Sequence, residues 1–433
     1  MKKILFLLLI VMAGPGYLFP AGAEVLSWQA CVKEAARNHP DLISAQQKTA
    51  QQEAAKRISA SGLYPQINAN LGLSTSERTG GQSTSGSVSG SSTRSVTDTV
   101  TYGVTGNQLI FDGFKTVNEV NAAKENIKAS EENYRFASTQ VRLNLRNAFI
   151  NLLKAQELIK VTNDIVKIRR DNLVLITLRY QSGLEHRGAL LTAEANLAQA
   201  NFQLNQARRD IELAQWQMTK EMGRSEFKPI EVASSFGVSD TAKLKPDFDA
   251  LIKNNPSILQ AAAKKNAAFF NIKSTYADFL PQLSGSASAD SARNSNTTRS
   301  SEWSLGLGVT MPIFEGGLRL AQVSQAQAAF AQAEADERSI RDTVYVSLEA
   351  AWVALQDALE IVEVQNKSLQ AALERSKIAE AQYSTGFITY DNWSIIEDNL
   401  VRAKTEYLNA EANALFAEAN WIQAKGETLE YAQ

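Results

Sequence analysis

The sequence predicts an α+β membrane protein in which one structural unit is built twice. Three observations support this prediction: short motifs that recur at constant spacing, four segments in which apolar and small polar residues alternate, and two helical stretches of about 68 residues each. The chain has 433 residues, and its 44 basic and 46 acidic side chains give a net charge of −2. Because that balance offers no basic surface, we expect no nucleic-acid partner.

The duplication is visible as motif pairs that occur in the same order in both halves. The upstream pair is 216 residues apart and the downstream pairs are 203 residues apart, so the first half carries about 13 extra residues in between. These fall in the Ser/Thr/Gly-rich segment 79–95, which predicts a loop. The pairs are Pro65 with Pro281, IFDG (110–113) with IFEG (313–316), and YQSG (180–183) with YSTG (383–386).

Each half predicts the same order of elements: helix, β-hairpin, very long helix, tight turn and helix. The opening helices should cover roughly 27–62 and 247–279 and end at helix–strand joints marked by Pro65 and Pro281, because a proline disfavours helix in the residue before it. The predicted boundaries are 1–23 for a signal peptide, 24–228 for the first repeat (hairpin 63–111, helices 113–182 and 188–222), 229–246 for a linker, 247–427 for the second repeat (hairpin 280–314, helices 316–385 and 390–425) and 428–433 for a C-terminal tail.

The first 23 residues have the composition of a secretory signal. Lys2 and Lys3 precede an apolar run over 4–13, and Ala21-Gly22-Ala23 offers a small-residue cleavage site. The run is shorter than the ~20 residues that a spanning helix needs. We therefore expect export and cleavage before Glu24.

The four alternating segments allow two interpretations. They predict strands of about 10–13 residues with one apolar face and one face of Ser, Thr, Asn and Gly. Such strands occur in an ordinary antiparallel sheet, with one face on a core and one in water, and in an outer-membrane β-barrel, with lipid on one side and a wet lumen on the other. Strand length and the scarcity of Lys and Glu favour the barrel. Four strands are too few to close one, so a barrel requires two, three or four copies of the chain.

The two long helices, predicted from residues 113 and 316 onward, are about 100 Å long at 1.5 Å per residue. Apolar residues seven apart form a narrow stripe in the first of them, which is coiled-coil spacing. A helix with only such a stripe requires partner helices alongside it. The stripe consists of Leu145, Leu152, Ile159, Val166 and Leu173.

The sequence lacks the motifs of the common enzyme classes. It contains no P-loop pattern, no G-x-S-x-G and no H-E-x-x-H. His39 and His186 are the only histidines, and Cys31 is the only cysteine. Cys31 lies in an amphipathic pattern that predicts a small buried side chain, and His39 belongs to a helix-start signal. We expect no enzymatic activity, no cofactor and no metal site.

Taken together and in order, these motifs resemble the TolC-like outer membrane efflux protein family over nearly the whole mature chain. The quoted motifs are the segments 36–40 and 251–256, the YPQ and FLPQL joints, IFDG and PIFEGG, and the YxxG turns. The resemblance implies a homotrimer in the bacterial outer membrane, with a 12-stranded β-barrel continued by a long periplasmic α-helical barrel. It implies a passive exit duct of a tripartite efflux pump or type I secretion system. The implied partners are a periplasmic adaptor, an inner-membrane transporter of the RND, ABC or MFS type, and outer-membrane lipid.

A competing class shares the export signal and the long helices. A secreted or periplasmic coiled-coil structural protein, such as an adhesin stalk, would have no channel activity. Such a protein would not need two β-hairpins flanked by helices. Outer-membrane trimers that conduct in planar bilayers would favour the duct, and a water-soluble rod would favour the stalk.

The resemblance also implies a periplasmic tip at the turns 181–188 and 384–392, where the duct closes and the adaptor docks. Family members carry Asp residues shortly after the second tip glycine, whereas this chain has Asn392 and Ile395 at those positions. Asp391, with Glu397 and Asp398 further on, offers a shifted acidic gate, and the alternative for each is a solvated helix-end charge. The tip candidates are Gly183, Glu185, His186, Arg187, Gly386, Asp391 and Asn392.

The IFDG and IFEG motifs are interpreted as strand–helix hinges. The aromatic residue should end a membrane strand near the water boundary, the acid should favour the N-terminus of the helix that follows, and the glycine should let the chain change direction. The hinge residues are Phe111, Asp112 and Gly113 in the first half and Phe314, Glu315 and Gly316 in the second.

Overall fold

The computed structural model describes residues 24–80, 93–234, 236–237, 245–295 and 299–431. The predicted signal peptide and most of the predicted loop insertion lie outside the described residues. The helices are α1 (Trp28–Asn38), α2 (Pro40–Ser61), α3 (Lys115–Gln181), α4 (Arg187–Glu221), α5 (Phe248–Ile252), α6 (Pro256–Ala277), α7 (Leu318–Ser384) and α8 (Tyr390–Ala424), and a short 3₁₀ helix covers Leu429–Tyr431. The strands are β1 (Glu24–Leu26), β2 (Gln66–Gly80), β3 (Thr93–Phe111), β4 (Ile230–Val232), β5 (Gln282–Asn294) and β6 (Ser300–Thr310).

The chain divides into two compact units, and neither corresponds to one sequence repeat. Each unit takes segments from both halves, and the long helices α3 and α7 contribute to both units. Unit 1 contains Met1–Leu42, Ser138–Pro246 and Leu348–Gln433, and unit 2 contains Ile43–Ala137 and Asp247–Ser347, over the residues described.

Unit 2 contains a four-stranded antiparallel sheet in the order β2-β3-β5-β6. β2 and β3 contain 15 and 19 residues, so the expected strand length of about 10–13 residues is wrong for the first hairpin. The ladder continues past the apolar residues, from Ser74 paired with Thr99 up to Gly80 paired with Thr93. Backbone pairing does not require apolar side chains, which is why the hydrophobic pattern ended too early.

One face of this sheet is apolar and exposed. The register places Leu71 opposite Tyr102 and Ala289 opposite Trp303, and these side chains share a face because successive strand residues alternate. Trp303 and Leu305 are 78% and 77% exposed. The two outer strands, β2 and β6, each pair on one side only. The other members of the apolar face are Ile67, Ala69, Leu73, Val100, Val104, Leu283, Ala287, Leu307 and Val309.

The two opening helices are each divided in two, which corrects the single helices expected over 27–62 and 247–279. His39 lies between α1 and α2 with an extended backbone, and Pro40 begins α2. Asn255 is the N-cap of α6, where its side chain accepts a hydrogen bond from the Ser257 N–H at 3.0 Å. A proline has no N–H to donate and is preorganised for the first helical position, so each proline starts a new helix.

The core of unit 1 contains fully buried apolar side chains from α1, α3, α4, α7 and α8. Cys31 is completely buried in α1, as expected. Burial raises the pKa of its thiol to about 12, and the nearby Glu34 carboxylate adds to this effect. β1 pairs in parallel with β4, and Trp28 packs edge-on against Phe149 at 5.6 Å between ring centroids. Among the helices in the described part of the chain, none is both long and apolar enough to cross a membrane.

Candidate functional site

The first tip turn joins α3 to α4. Gly183 has φ +73°, a backbone conformation that glycine adopts without strain, and the N–H of Leu184 donates back to the Arg179 carbonyl at 2.8 Å. His186 is the N-cap of α4, and its Nδ1 accepts a hydrogen bond from the Ala189 N–H at 3.1 Å. Arg187 opens α4 and is exposed. The candidate histidine therefore ends one turn and starts the next helix.

The second tip turn joins α7 to α8 with the same geometry. Gly386 has φ +81°, and the Phe387 N–H donates to the Gln382 carbonyl at 2.8 Å. Thr389 is the N-cap of α8, and its hydroxyl oxygen accepts from the Asn392 N–H at 3.4 Å. Asp391 lies in the first turn of α8 and is exposed, so its carboxylate also interacts favourably with the helix dipole.

An aromatic cluster in unit 1 packs the second turn against α3 and α4. The Tyr383 ring stacks on Trp393 at 4.6 Å between centroids with 10° between the planes, and Tyr390 meets both rings edge-on at 6.3 Å. Tyr383 and Trp393 are 1% and 2% exposed. Ile176 of α3 and Ala189 and Ala193 of α4 belong to the same buried cluster.

Two polar contacts of Tyr383 join the two tip turns. Its hydroxyl donates to Glu185 Oε2 at 2.8 Å, and its carbonyl accepts from Arg179 Nη1 at 3.2 Å. The Arg179 guanidinium also lies over the Tyr383 ring, 4.7 Å from the centroid. Burial, followed by the hydrogen bond to Glu185, raises the pKa of the Tyr383 phenol above its usual value, so the hydroxyl stays a donor at neutral pH.

The acidic residues after the second tip glycine differ in their partners. Glu397 is buried and accepts from the Ser376 hydroxyl at 2.5 Å. Asp398 forms an ion pair with Arg169 of α3. Asp391 has no ion pair among the described residues, and Asn392 and Ile395 are exposed. Asp391 is therefore the one exposed carboxylate of this group without an ion pair among the described residues, because Glu397 is buried and Asp398 is paired.

Two exposed apolar side chains at the tips were missed by sequence reasoning. Leu184 and Phe387 are 68% and 83% exposed. They lie 203 residues apart, the spacing of the repeat, and each directly follows a tip glycine. The sequence shows that these two positions are equivalent in the repeat, but only the structure shows that both side chains are exposed.

The first hinge combines an acid, a glycine and an aromatic pair. β3 ends at Phe111, whose ring meets Phe114 edge-on at 5.6 Å between centroids. Asp112 Oδ2 accepts from the Thr116 N–H at 2.8 Å and from its hydroxyl at 2.5 Å. Gly113 has φ +67°, and a Cβ there would lie 2.7 Å from Leu280. Only a glycine fits this position without displacement of its neighbours.

The second hinge differs from the first. β6 ends at Thr310, so the expectation that Phe314 ends a strand is wrong. Thr310 pairs with Gln282, the first residue of β5, and the ladder cannot continue because Pro281 and Pro312 have no N–H.

In the second hinge the acid also acts differently. Glu315 pairs with Arg319, with 2.6 Å between Oε2 and Nε, rather than accepting a backbone N–H. Gly316 and Gly317 have φ +61° and +88°, and a Cβ at either would meet open space. The two joint prolines, Pro65 and Pro281, each directly precede the first residue of a strand.

The described residues contain no group of three or more His, Cys, Asp or Glu side chains placed to hold a metal ion.

A sheet with an exposed apolar face, joined through glycine hinges to helices of 67 residues, defines the class of outer-membrane channels with helical extensions. A family model described as outer membrane efflux protein matches residues 31–224 and 248–427. The chain belongs to this outer membrane efflux protein family. It is therefore an outer-membrane exit channel, and its family consists of transport proteins rather than enzymes.

Individual relatives agree with this assignment. The outer membrane efflux protein BepC of Brucella suis biovar 1 is 25% identical over 338 residues, which cover 76% of this chain and 70% of BepC. The outer membrane protein TolC of Vibrio cholerae is 24% identical over 421 residues, which cover 92% and 90%.

Solved structures show the same fold at lower identity. The open state of the MtrE outer membrane channel of Neisseria gonorrhoeae superimposes with a TM-score of 0.77 at 18% identity, over 93% of this chain and 89% of MtrE. The CmeC outer membrane channel of Campylobacter jejuni has a TM-score of 0.75 at 20% identity, over 92% and 84%.

Proposed function

We propose that three copies of this chain form one passive duct, with a 12-stranded barrel built from three four-stranded sheets. The observation that supports it is the sheet itself, which has one apolar exposed face and two edge strands, β2 and β6, that pair on one side only. Lipid cannot satisfy the backbone groups of an open edge, so β6 of one copy must pair with β2 of the next until the ring closes. In this proposal the repeats 24–228 and 247–427 are units of the sequence rather than compact domains, and residues 1–23 are removed on export.

Partner proteins supply the energy for transport through the passive duct. An adaptor in the periplasm docks at the tip turns, and an inner-membrane transporter of the RND, ABC or MFS type drives transport. Leu184 and Phe387 support the docking site, because a large apolar side chain held in water at each turn gains free energy when a partner covers it. In a trimer these two residues supply six apolar contacts around the tip.

The tip latch, defined as Glu185, Tyr383 and Arg179, holds the duct closed. All three residues belong to contacts between the first and second tip turns within one copy. An opening motion that separates the two turns must break the Glu185–Tyr383 hydrogen bond. Asp391 adds a ring of three carboxylates to the closed mouth, and such a ring attracts cations.

The duct proposal is tested by the mass of the purified protein in detergent and by its conductance in planar bilayers. Protein extracted from outer membranes should have the mass of a trimer in detergent, after the detergent contribution is subtracted, and should conduct in planar bilayers. A monomeric, water-soluble rod without conductance would overturn the proposal and favour the coiled-coil stalk. A conducting dimer or tetramer would overturn the trimer and leave the channel assignment in place.

A further inference from the structure

The apolar face of the sheet ends in arginines that the duct function does not use. Arg293 lies opposite Val100 in the register and shares the face of Leu283, because the two β5 positions are an even number of residues apart. Leu283 lies at the end of β5 next to the hinges, and Arg293 lies at the hairpin end. The basic side chain is therefore at the outer limit of an otherwise apolar surface.

Arg299, just before β6, reaches the same face. Its Nε donates to Ser291 Oγ at 3.1 Å, and its guanidinium lies 5.4 Å from the centroid of the Tyr102 ring. Ser291 and Tyr102 are opposite each other in the register, two positions toward the hinges from Arg293 and Val100. The stack on Tyr102 positions the Arg299 guanidinium at this level.

The distance along the strand places both arginines at a membrane boundary. Leu283 and Arg293 are ten residues apart on β5, which is about 34 Å at the usual antiparallel rise. With a strand tilt of about 40°, this corresponds to roughly 26 Å along the membrane normal, close to the ~25 Å apolar band of outer-membrane barrels. Trp303 faces the same way and lies within this apolar band, opposite Ala289.

These arginines have no ion-pair partner among the described residues. Neither Arg293 nor Arg299 forms an ion pair there, whereas Arg94, on the same face, pairs with Glu77. The nearby Asp98 accepts a hydrogen bond from the Thr75 hydroxyl at 2.8 Å. Two guanidinium groups without ion-pair partners at the edge of a lipid-facing surface are complementary to an anion in the headgroup layer.

We propose that Arg293 and Arg299 form a binding site for the phosphate groups of outer-leaflet lipid. The inference rests on the proposed duct, which turns the hairpin end of the sheet toward the cell exterior and the apolar face toward lipid. Phosphate suits two planar guanidinium groups because each can donate two parallel hydrogen bonds. The lipid chains lie along the apolar rows below, so one molecule satisfies both parts of the surface.

The test is the amount of lipid A retained by the purified full-length protein in detergent, measured by native mass spectrometry. The double variant Arg293→Gln/Arg299→Gln should bind lipid A at least about tenfold more weakly, because both charged donors are removed. Arg94→Gln, which changes an arginine already paired with Glu77, is the matched control and should bind like the unmodified protein. Arg293→Lys/Arg299→Lys should retain intermediate binding.

Dephosphorylated lipid A and inorganic phosphate distinguish binding of a lipid phosphate from binding of free phosphate. Dephosphorylated lipid A should bind the unmodified protein as weakly as lipid A binds the glutamine variant, and inorganic phosphate should not displace lipid A. Equal binding by the glutamine variant, equal binding of the dephosphorylated lipid, or full displacement by inorganic phosphate would each overturn the proposal. Trimer mass and conductance, measured on the same samples, show whether the duct proposal holds independently of that result.

Discussion

Replacing Tyr383 with phenylalanine removes a single hydroxyl from the tip latch and leaves the aromatic cluster packed. The lost contact is the 2.8 Å hydrogen bond to Glu185 Oε2, whose side chain is 11% exposed. A hydrogen bond to a charged group contributes about 1.5–3 kcal/mol. If the bond exists only in the closed tip, its loss shifts the open-to-closed ratio roughly tenfold to a hundredfold toward the open state.

Single-channel recordings in planar bilayers measure this shift directly. Tyr383→Phe should raise the fraction of time spent in high-conductance states, while thermal unfolding of the trimer stays close to that of the unmodified protein. Tyr180→Phe is the matched control, because Tyr180 is the repeat equivalent of Tyr383 and its hydroxyl has no hydrogen bond among the described residues. An unchanged open fraction in Tyr383→Phe, or an equal increase in Tyr180→Phe, would refute the latch.

Further predictions concern charge, titration, strain and thiol reactivity. The pKa of Tyr383 is raised in the closed tip, so its protonated hydroxyl stabilises that state fully below the ordinary phenol pKa near 10. This stabilisation decreases above pH 10 and is lost as the pH rises through the raised pKa, so conductance should increase only in strongly alkaline buffer. Asp391→Asn should weaken block by multivalent cations, and unchanged block would exclude Asp391 from the gate. Gly113→Val should lower trimer yield far more than Gly316→Val, because both incur roughly 1–3 kcal/mol of strain at positive φ but only Gly113 meets Leu280 at 2.7 Å; equal yields would contradict this. Cys31, with a thiol pKa of about 12 and complete burial, should not react with a maleimide at pH 8 until the protein is unfolded, and labelling of the folded trimer would refute its placement.

The regular elements could be predicted because each has a local period in the sequence. Alternation located all four strands, and the absence of proline located the two long helices to within one or two residues at each end. The strand ends were less predictable. β3 continues across an irregularity after Leu109 and ends inside IFDG at Phe111, whereas β6 stops at Thr310, before the nearly identical IFEG begins. The second half has Pro312 just before its tetrapeptide, and a proline has no N–H to donate to a partner strand.

The site was less predictable because its contacts are distant in sequence. Arg169 and Asp398 are 229 residues apart, and Glu185 and Tyr383 are 198 residues apart. No local pattern indicates that Asp398 is paired and Asp391 is not. The spacing of Tyr390 and Trp393 places them on one helix face, but only the packing of α8 against α3 and α4 shows that this face is buried.

The two tip turns show how a duplication with equivalent backbones can acquire a single latch. Both turns use a glycine at positive φ followed by an N-cap, but the side chains around them have diverged: Glu185 corresponds to Ile388, Arg187 to Tyr390 and Gly188 to Asp391. The acid of the latch comes from the first half and the tyrosine from the second, so one copy contributes one latch rather than two. In the proposed trimer this gives three latches around the mouth. Exchanging Glu185 and Ile388 should therefore fail to rebuild the latch, because Tyr180, the tyrosine that the moved acid would need, lies 38% exposed outside the aromatic cluster. A double exchange with the closed-state conductance of the unmodified protein would show that the latch depends on the repeat geometry alone.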